Sequence, residues 1–497
     1  MRCFRIMFPV LYVLVSIAAC SVGPDYVKPA ATVPAGYKEM DGWKVAQPRD
    51  GSLRGTWWEI FNDPQLNALE EQVSISNQNV LTAEAQFRQA RALVRAARAS
   101  YFPTLTAGAS FTRSRRSFVG SGFSGASGAA GTSGLAGTSG SGRGSSAAAF
   151  TLSDYSLPVD VTWDLDVWGR VRRTVEANEA SAQASAADLE TARLSAQVEL
   201  AQDYFQLRVL DAQKQLLDET VVLYRKSLEL TKNRYASGVA SRADVLQAET
   251  QLKTTQAQAI DVGVQRAQME HALALLTGCP ASGFSVPLAP LAAGLPAIPV
   301  GLPSELLERR PDIAAAERRV AAANAQIGAV GAAFFPTVTL SASGGFESTL
   351  LSQWLTWPSR FWSIGSTITE TVFEGGLRRA QTEEARAAYD ANVAAYRQTV
   401  LTGFQQVEDN LAALRILEKE YLAQEEAVNA AQQSVVYTMN QYKAGTVGYL
   451  NVVTAQTAAL NNRRTALNIL GSRMTASVLL IKALGGGWHA PALEPGK

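Results

Sequence analysis

Between Thr104 and Thr112 apolar side chains occupy the odd positions (Leu105, Ala107, Ala109, Phe111), and Thr, Gly and Ser take the even ones. The stretch LPVDVTWDLDV alternates in the same way: Leu157, Val159, Val161, Trp163, Leu165 and Val167 stand against Asp160, Thr162, Asp164 and Asp166. Period-two alternation places one face of a strand in an apolar medium and the other in water. Val338, Leu340 and Ala342 repeat the pattern, and a weaker version follows, in which Ile364, Ile368 and Val372 share a face with Ser366 and Glu370. The pattern predicts four strands, at about 103–113, 155–167, 336–346 and 361–373.

Elsewhere the period changes. From Val171 to Tyr235 there is neither proline nor glycine, and Leu200, Tyr204, Leu207, Leu210, Leu217, Val221, Tyr224 and Leu228 keep three- and four-residue spacing, interrupted at Lys214. That is one face of a helix of roughly 95 Å. A counterpart runs from Leu377 to Tyr442. Glycine turns at Gly238 and Gly445 follow, then return helices ending near Gly278 and Gly485. The expected elements are two long helical hairpins, at about 170–278 and 377–485.

The chain is written twice. YFPTLT at 101–106 recurs as FFPTVT at 334–339. NRYASGVASRADVLQAET from Asn233 matches NQYKAGTVGYLNVVTAQT from Asn440, pairing Tyr235 with Tyr442, Gly238 with Gly445, Val245 with Val452 and Ala248 with Ala455. Gly278 and Gly485 keep the same spacing. Ordered self-similarity of this kind marks an internal duplication. The reading is mainly α with a β membrane segment. Repeat 1 covers 62–279 and repeat 2 covers 304–486, with a Pro-rich linker at 280–303 and a tail at 487–497. The connection between the first two strands is longer than its counterpart by a Gly/Ser-rich tract (GSGFSGASGAAGTSGLAGTSGSGRGSS), whose composition cannot bury a core. The shorter connection carries Trp354, Trp357 and Trp362, which suit either a membrane interface or a packed soluble hairpin.

The N-terminus reads as an export signal over 1–19: Arg2 and Arg5 precede an apolar run from Ile6 to Ala19 that is too short for a membrane span. IAAC ends in small residues before Cys20, the pattern of a bacterial lipobox in which that cysteine is acylated. Ser21 follows, the pattern of sorting to the outer membrane, and 20–61 is expected to be a lipid-anchored extended segment. With Cys3 and Cys20 so assigned, only Cys279 is left, and one thiol forms no internal disulfide. The formal net charge of +1 argues against nucleic acid as a partner. His271 and His489 sit in no metal-ligand or nucleophile pattern, so neither catalysis nor a cofactor is expected. Asp160, Asp164 and Asp166 are read as a water-facing strand surface rather than paired catalytic carboxylates.

Four strands cannot close a membrane barrel, and unpaired edges in lipid are costly. Either the sheet is a soluble sandwich or several copies pool their strands. Helices of this length, entering and leaving the β segment at DVWGRVRR and VFEGGLRR, favour pooling. Arg172, Arg173, Arg378 and Arg379 at those turns suit a bilayer–water boundary.

Over nearly the whole mature chain the sequence resembles the TolC-type outer-membrane factors, in particular the lipoprotein branch of OprM- and NodT-like channels of resistance–nodulation–division (RND) efflux systems. The residues that carry the likeness are CSVGPDYVKP, TWWEIFNDPQLNALEEQ, YFPTLT, WDLDVWGR, LLERRPDIAAAE, FFPTVTL and FEGGLRRA. The resemblance implies a homotrimer whose copies build a 12-strand β-barrel and a 12-helix periplasmic α-barrel. It also implies a periplasmic adaptor and an inner-membrane RND pump as partners, with no cofactor beyond the lipid on Cys20. Its entrance would lie at the hairpin tips, around Gly238, Asp244, Tyr442, Gly445, Asn451 and Thr454. Val447, Asn451 and Thr454 replace charged residues of some members, which implies a constriction only weakly selective for cations. The same residues could simply pack the bend. A type I protein secretion conduit of the same fold, and a periplasmic coiled-coil adaptor, stay open as alternatives.

Overall fold

The computed structural model describes residues 22–31, 33–34, 36–39, 55–116, 150–289, 291, 298 and 309–486. Cys20, the export signal, the Gly/Ser tract at 117–149, most of the linker and the tail lie outside the described residues. The described chain divides into two compact units.

One unit comprises 22–23, 96–174 and 328–382. Its sheet contains β1 (Thr104–Ala107), β2 (Ser110–Arg116), β3 (Phe150–Leu165), β4 (Thr337–Ser348) and β5 (Arg360–Thr369), all paired antiparallel. β1 and β2 both pair with β3, then come β4 and β5. The first expected strand is thus seen in two pieces. Both pieces hold one register on β3, with Ala107 opposite Val159 and Ser110 opposite Ser156. Between them Gly108 donates to the carbonyl of Pro158 at 3.0 Å. Pro158 has no N–H to return the bond, so the ladder lapses there without a change of register. On the other side of Pro158 stands Gly345, where a Cβ would meet the Leu157 carbonyl oxygen at 2.1 Å.

The other unit comprises 24–95, 175–327 and 383–486 of the described chain. The helices are α1 (Pro64–Ser76), α2 (Gln78–Ala99), α3 (Arg170–Ala236), α4 (Arg242–Leu276), α5 (Pro311–Gly331), α6 (Leu377–Ala444) and α7 (Tyr449–Ala483). The long helices have 67 and 68 residues and the return helices 35 each, so the duplication holds in length. At about 1.5 Å per residue the long members reach roughly 100 Å. None of the described helices is long and apolar enough to cross a membrane.

The main core of this unit gathers every helical part. Trp57, Trp58 and Phe61, from the WWEIF turn, pack with Leu66 and Val73 of α1, Leu200, Tyr204 and Leu207 of α3, Leu273 of α4, Val407 and Leu411 of α6, and Met474 and Leu480 of α7. Asp63 fixes the entry of α1: its carboxylate accepts from the backbone N–H of Gln65 and Leu66, and from the Tyr204 hydroxyl at 2.6 Å. The α3 stripe continues beyond this core through Leu210 and Leu217, then Tyr224 and Leu228, in two further clusters.

Both repeats close with a clasp, built from different chemistry. Asn77 donates from Nδ2 to the Leu276 carbonyl at 2.8 Å, which ties the end of α4 to the start of α2. At the equivalent place, Arg310 donates from Nη1 to the Ala483 carbonyl at 3.0 Å and grips Asp312 and Gln406 with its other nitrogens. Gly278 and Gly485 make the close approach possible. Their φ values are +70° and +94°, and a Cβ would meet the Ser76 carbonyl oxygen at 2.4 Å or that of Arg309 at 2.1 Å. The linker is held through Asp211, which binds Arg208 at 2.8 Å and Arg266 at 2.7 Å; these two arginines donate to the carbonyls of Pro287 and Val286.

Candidate functional site

Two regions can do something beyond holding the fold: the faces of the sheet, and the ends of the two hairpins.

The register sorts every strand residue onto one of two faces. Leu105, Ala107, Ala109 and Phe111 share a face with Tyr155, Leu157, Val159, Val161, Trp163 and Leu165, with Val338, Leu340, Ala342 and Phe346, and with Trp362, Ile364 and Ile368. Trp362 and Ile364 are 78% exposed, so this apolar face is uncovered in the single chain. The opposite face is mostly Thr, Ser, Gly and Asp, with Arg116, Phe150, Leu152, Pro158, Glu347 and Phe361 as exceptions. There Thr339 donates to Asp164 at 2.7 Å and Ser343 to Asp160 at 2.6 Å. β5 ends at Thr369, so Glu370 and Val372 lie past the strand. That removes Glu370 from the face, whereas Ser366 stays on it, opposite Leu340.

Two other expectations are corrected at the base of the sheet. Asp166 is not part of a strand surface: its carboxylate accepts from the N–H groups of Val171 and Arg172 and caps α3. Arg173 does not face solvent. It is buried and donates to the carbonyls of Val22 and Gly23, while Val22 donates to the Trp168 carbonyl at 3.2 Å. Trp168 stacks on Phe335 and donates to the Pro336 carbonyl at 2.8 Å, which joins the WDLDVWGR and FFPT motifs. The chain two residues after Cys20 is therefore pinned to the end of the sheet from which the helices leave.

At the hairpin ends, Gly238 and Gly445 adopt φ of +77° and +81°. Each long helix stops by the same device: Val239 N–H returns to the Arg234 carbonyl, and Thr446 N–H to that of Gln441. The starts of the return helices differ. Ser241 and Asp244 form a reciprocal capping box on α4, whereas Gly448 caps α7 with no side-chain bond and Asn451 stands where Asp244 stands in the first copy. Tyr442 is buried, packed edge-on against Tyr449 at 5.3 Å amid Tyr224, Leu228, Leu252 and Val452. Burial raises the Tyr449 phenol well above its ordinary range. Asn451 and Thr454 are exposed, one turn apart on α7. The structure thus gathers Tyr442 into a core, leaves Asn451 and Thr454 on a surface, and gives Asp244 a capping bond.

Arg234 was not singled out in the sequence. Its guanidinium lies over the Tyr442 ring, 4.8 Å from the centroid, and donates to the Lys443 carbonyl at 2.8 Å, so it links the end of α3 to the end of α6. Only its cationic place one residue before Tyr235 could have marked it. Among the described residues no group of His, Cys, Asp and Glu could hold a metal ion.

A sheet with an uncovered apolar face and a polar reverse, in a chain that also carries duplicated helical hairpins, has the pattern of a strand surface placed between lipid and water. The sequence profile described as outer membrane efflux protein matches residues 69–279 and 302–486. The chain is 32% identical over 481 residues to the probable efflux pump outer membrane protein TtgC of Pseudomonas putida, covering 95% of this chain and 94% of that one. It is also 32% identical over 483 residues to the outer membrane protein OprJ of Pseudomonas aeruginosa, covering 96% and 95%. Among solved structures, the outer-membrane channel OprN is similar with a TM-score of 0.84 at 30% identity, over 94% of this chain and 100% of that one. The open state of the Neisseria gonorrhoeae MtrE channel follows with 0.77 at 27%, over 94% and 98%. The chain belongs to the outer membrane efflux protein family, and its function is that of an outer-membrane efflux channel.

Proposed function

We propose that three copies of this chain form the passive exit duct of a tripartite efflux system, taking small molecules from a periplasmic adaptor and an inner-membrane RND pump to the exterior. The observation that carries this reading is the state of the sheet edges. Among the described residues the outer edges of β1 and β2 on one side and of β5 on the other are unpaired, while the apolar face needs lipid. With β1 and β2 counted as one interrupted strand, the meander has an even number of strands. Its two edges therefore run antiparallel and can pair between copies. Three copies supply twelve strands, within the range of closed membrane barrels. The polar face with Asp160 and Asp164 then lines the lumen, and the helical hairpins extend into the periplasm as a twelve-helix tunnel.

The pinning of Val22 beside Trp168 supports acylation of Cys20, because it puts the anchor next to the membrane segment. The hairpin ends form the entrance, with the Arg234–Tyr442 contact holding α3 to α6 and with Asn451 and Thr454 facing the opening. No energy source or cofactor is needed, since the pump drives transport.

Native mass spectrometry and single-channel recording on the detergent-purified protein test the reading together. A trimer that conducts is expected. A monomeric, compact, non-conducting particle would sink it. Deletion should also sensitise the cell to some drugs, dyes or detergents, and unchanged sensitivity in a strain without a redundant homologue argues against efflux.

A further inference from the structure

The carboxylates of the sheet all lie on one face. Asp154 lies opposite Thr112, and Ser156 lies opposite Glu347, so the register puts Asp154, Asp160, Asp164 and Glu347 together on the polar face. Of the described cations, Arg116 shares that face, opposite Phe150, and three lie on the other one. Arg113 pairs with Ser153 and Arg115 with Thr151, both in step with Phe111 opposite Tyr155; Arg360 pairs with Phe346, in step with Trp362 opposite Gly344. Arg113, Arg115 and Arg360 therefore project from the apolar face, and all three are exposed. They sit at the end of the sheet remote from the helices, where β4 turns into β5.

Aromatic rings mark the same end. Phe111 and Tyr155 lie 4.7 Å apart and Tyr155 and Trp354 5.9 Å apart, with Trp357 75% and Trp362 78% exposed. Arg360 stacks on Trp357 and donates to its carbonyl at 3.1 Å. Among the described residues no carboxylate lies within ion-pair distance of Arg113, Arg115 or Arg360. On this face Arg113 and Arg115 continue past the Phe111–Tyr155 level toward the end of the sheet, and Arg360, level with Phe346 and Leu157, lies among the rings.

We propose that Arg113, Arg115 and Arg360 bind the phosphates of the phosphorylated glucosamine lipid (lipid A) in the outer leaflet. Arginine matches phosphate with a planar, bidentate donor set, and the neighbouring rings place it at headgroup depth. A simple lipid-facing surface gains nothing from three cations without carboxylate partners, whereas an anionic leaflet supplies their counter-ions. The assignment rests on the proposed orientation, with the helices in the periplasm and the β4–β5 turn outside.

The test compares the thermal midpoint of the purified trimer in mild detergent with three added lipids: diphosphoryl lipid A, the same lipid stripped of its phosphates, and phosphatidylglycerol. Diphosphoryl lipid A should raise the midpoint by about 3 °C or more over the stripped form, and phosphatidylglycerol should do less. The combined Arg113→Gln, Arg115→Gln, Arg360→Gln variant should lose that difference, and the matching Lys variant should keep part of it. Equal midpoints with the phosphorylated and stripped forms in the wild-type trimer overturn the proposal without recourse to any variant. So does an equal effect of phosphatidylglycerol, which would assign the arginines to phospholipid. Conductance in a phosphatidylcholine bilayer separates the two readings: a wild-type protein that conducts but ignores the phosphates leaves the channel standing and removes only the lipid site.

Discussion

The guanidinium of Arg234 covers the ring of Tyr442 from α3 while binding the Lys443 carbonyl at the end of α6, so one side chain ties together the far ends of the two long helices. Loss of a stacked cation and a charge-assisted hydrogen bond costs on the order of 1–3 kcal/mol. If that contact holds the entrance narrow, Arg234→Ala should raise the open fraction in single-channel records about tenfold. Lysine should rescue poorly because it lacks the planar group. Unchanged gating in the alanine variant would reduce Arg234 to a packing residue.

Glu70 is fully buried, and its carboxyl has no hydrogen-bond partner among the described residues. Burial pushes its pKa from 4.5 up to about 9. Between those values the folded chain keeps a proton that the unfolded chain has given up, so stability falls as pH rises through that window. Glu70→Met should therefore melt higher than wild type, with a gap that widens from pH 5 to pH 8 and passes about 3 kcal/mol near pH 7. Melting curves whose separation does not change with pH would contradict this.

The two clasps should fail unequally. Arg310→Ala removes the partner of Asp312, Gln406 and the Ala483 carbonyl at a buried site, at a cost of about 3–5 kcal/mol. Asn77→Ala strands the Leu276 carbonyl and the N–H groups of Asn79 and Val80, which costs about 1–3 kcal/mol. Chemical denaturation of the two variants checks the order. A larger loss at Asn77 would reverse the ranking.

Asp160 and Asp164 lie on the polar face with hydroxyl partners. Asp160→Asn together with Asp164→Asn should lower the cation-to-anion permeability ratio, read as a shift of reversal potential in a salt gradient. Asn451→Ala at the hairpin end should alter cation block little. Strong block that disappears in that variant would move selectivity from the barrel to the entrance.

Much of this was legible in the sequence because it is local and periodic. Alternation gave the faces of β1, β3 and β4, and the matched glycines at Gly238 and Gly445 gave the hairpins. What escaped has other causes. The lapse in the first strand depends on Pro158, which acts on a neighbouring strand and not on its own. Asp166 carries the same alternation as Asp160 but falls after the strand has ended, where an exposed helix terminus recruits it. Arg234, Arg173 and Arg310 act on carbonyls more than 150 residues away, and no local spacing encodes such contacts.

The unequal caps at the two turns have a mechanical consequence. A bend locked by the reciprocal Ser241–Asp244 bonds resists fraying, whereas one that begins at Gly448 can unwind a residue or two at small cost. Duplication has thus left the molecule with one stiff fingertip and one compliant one, and any dilation of the proposed entrance should begin at the compliant one.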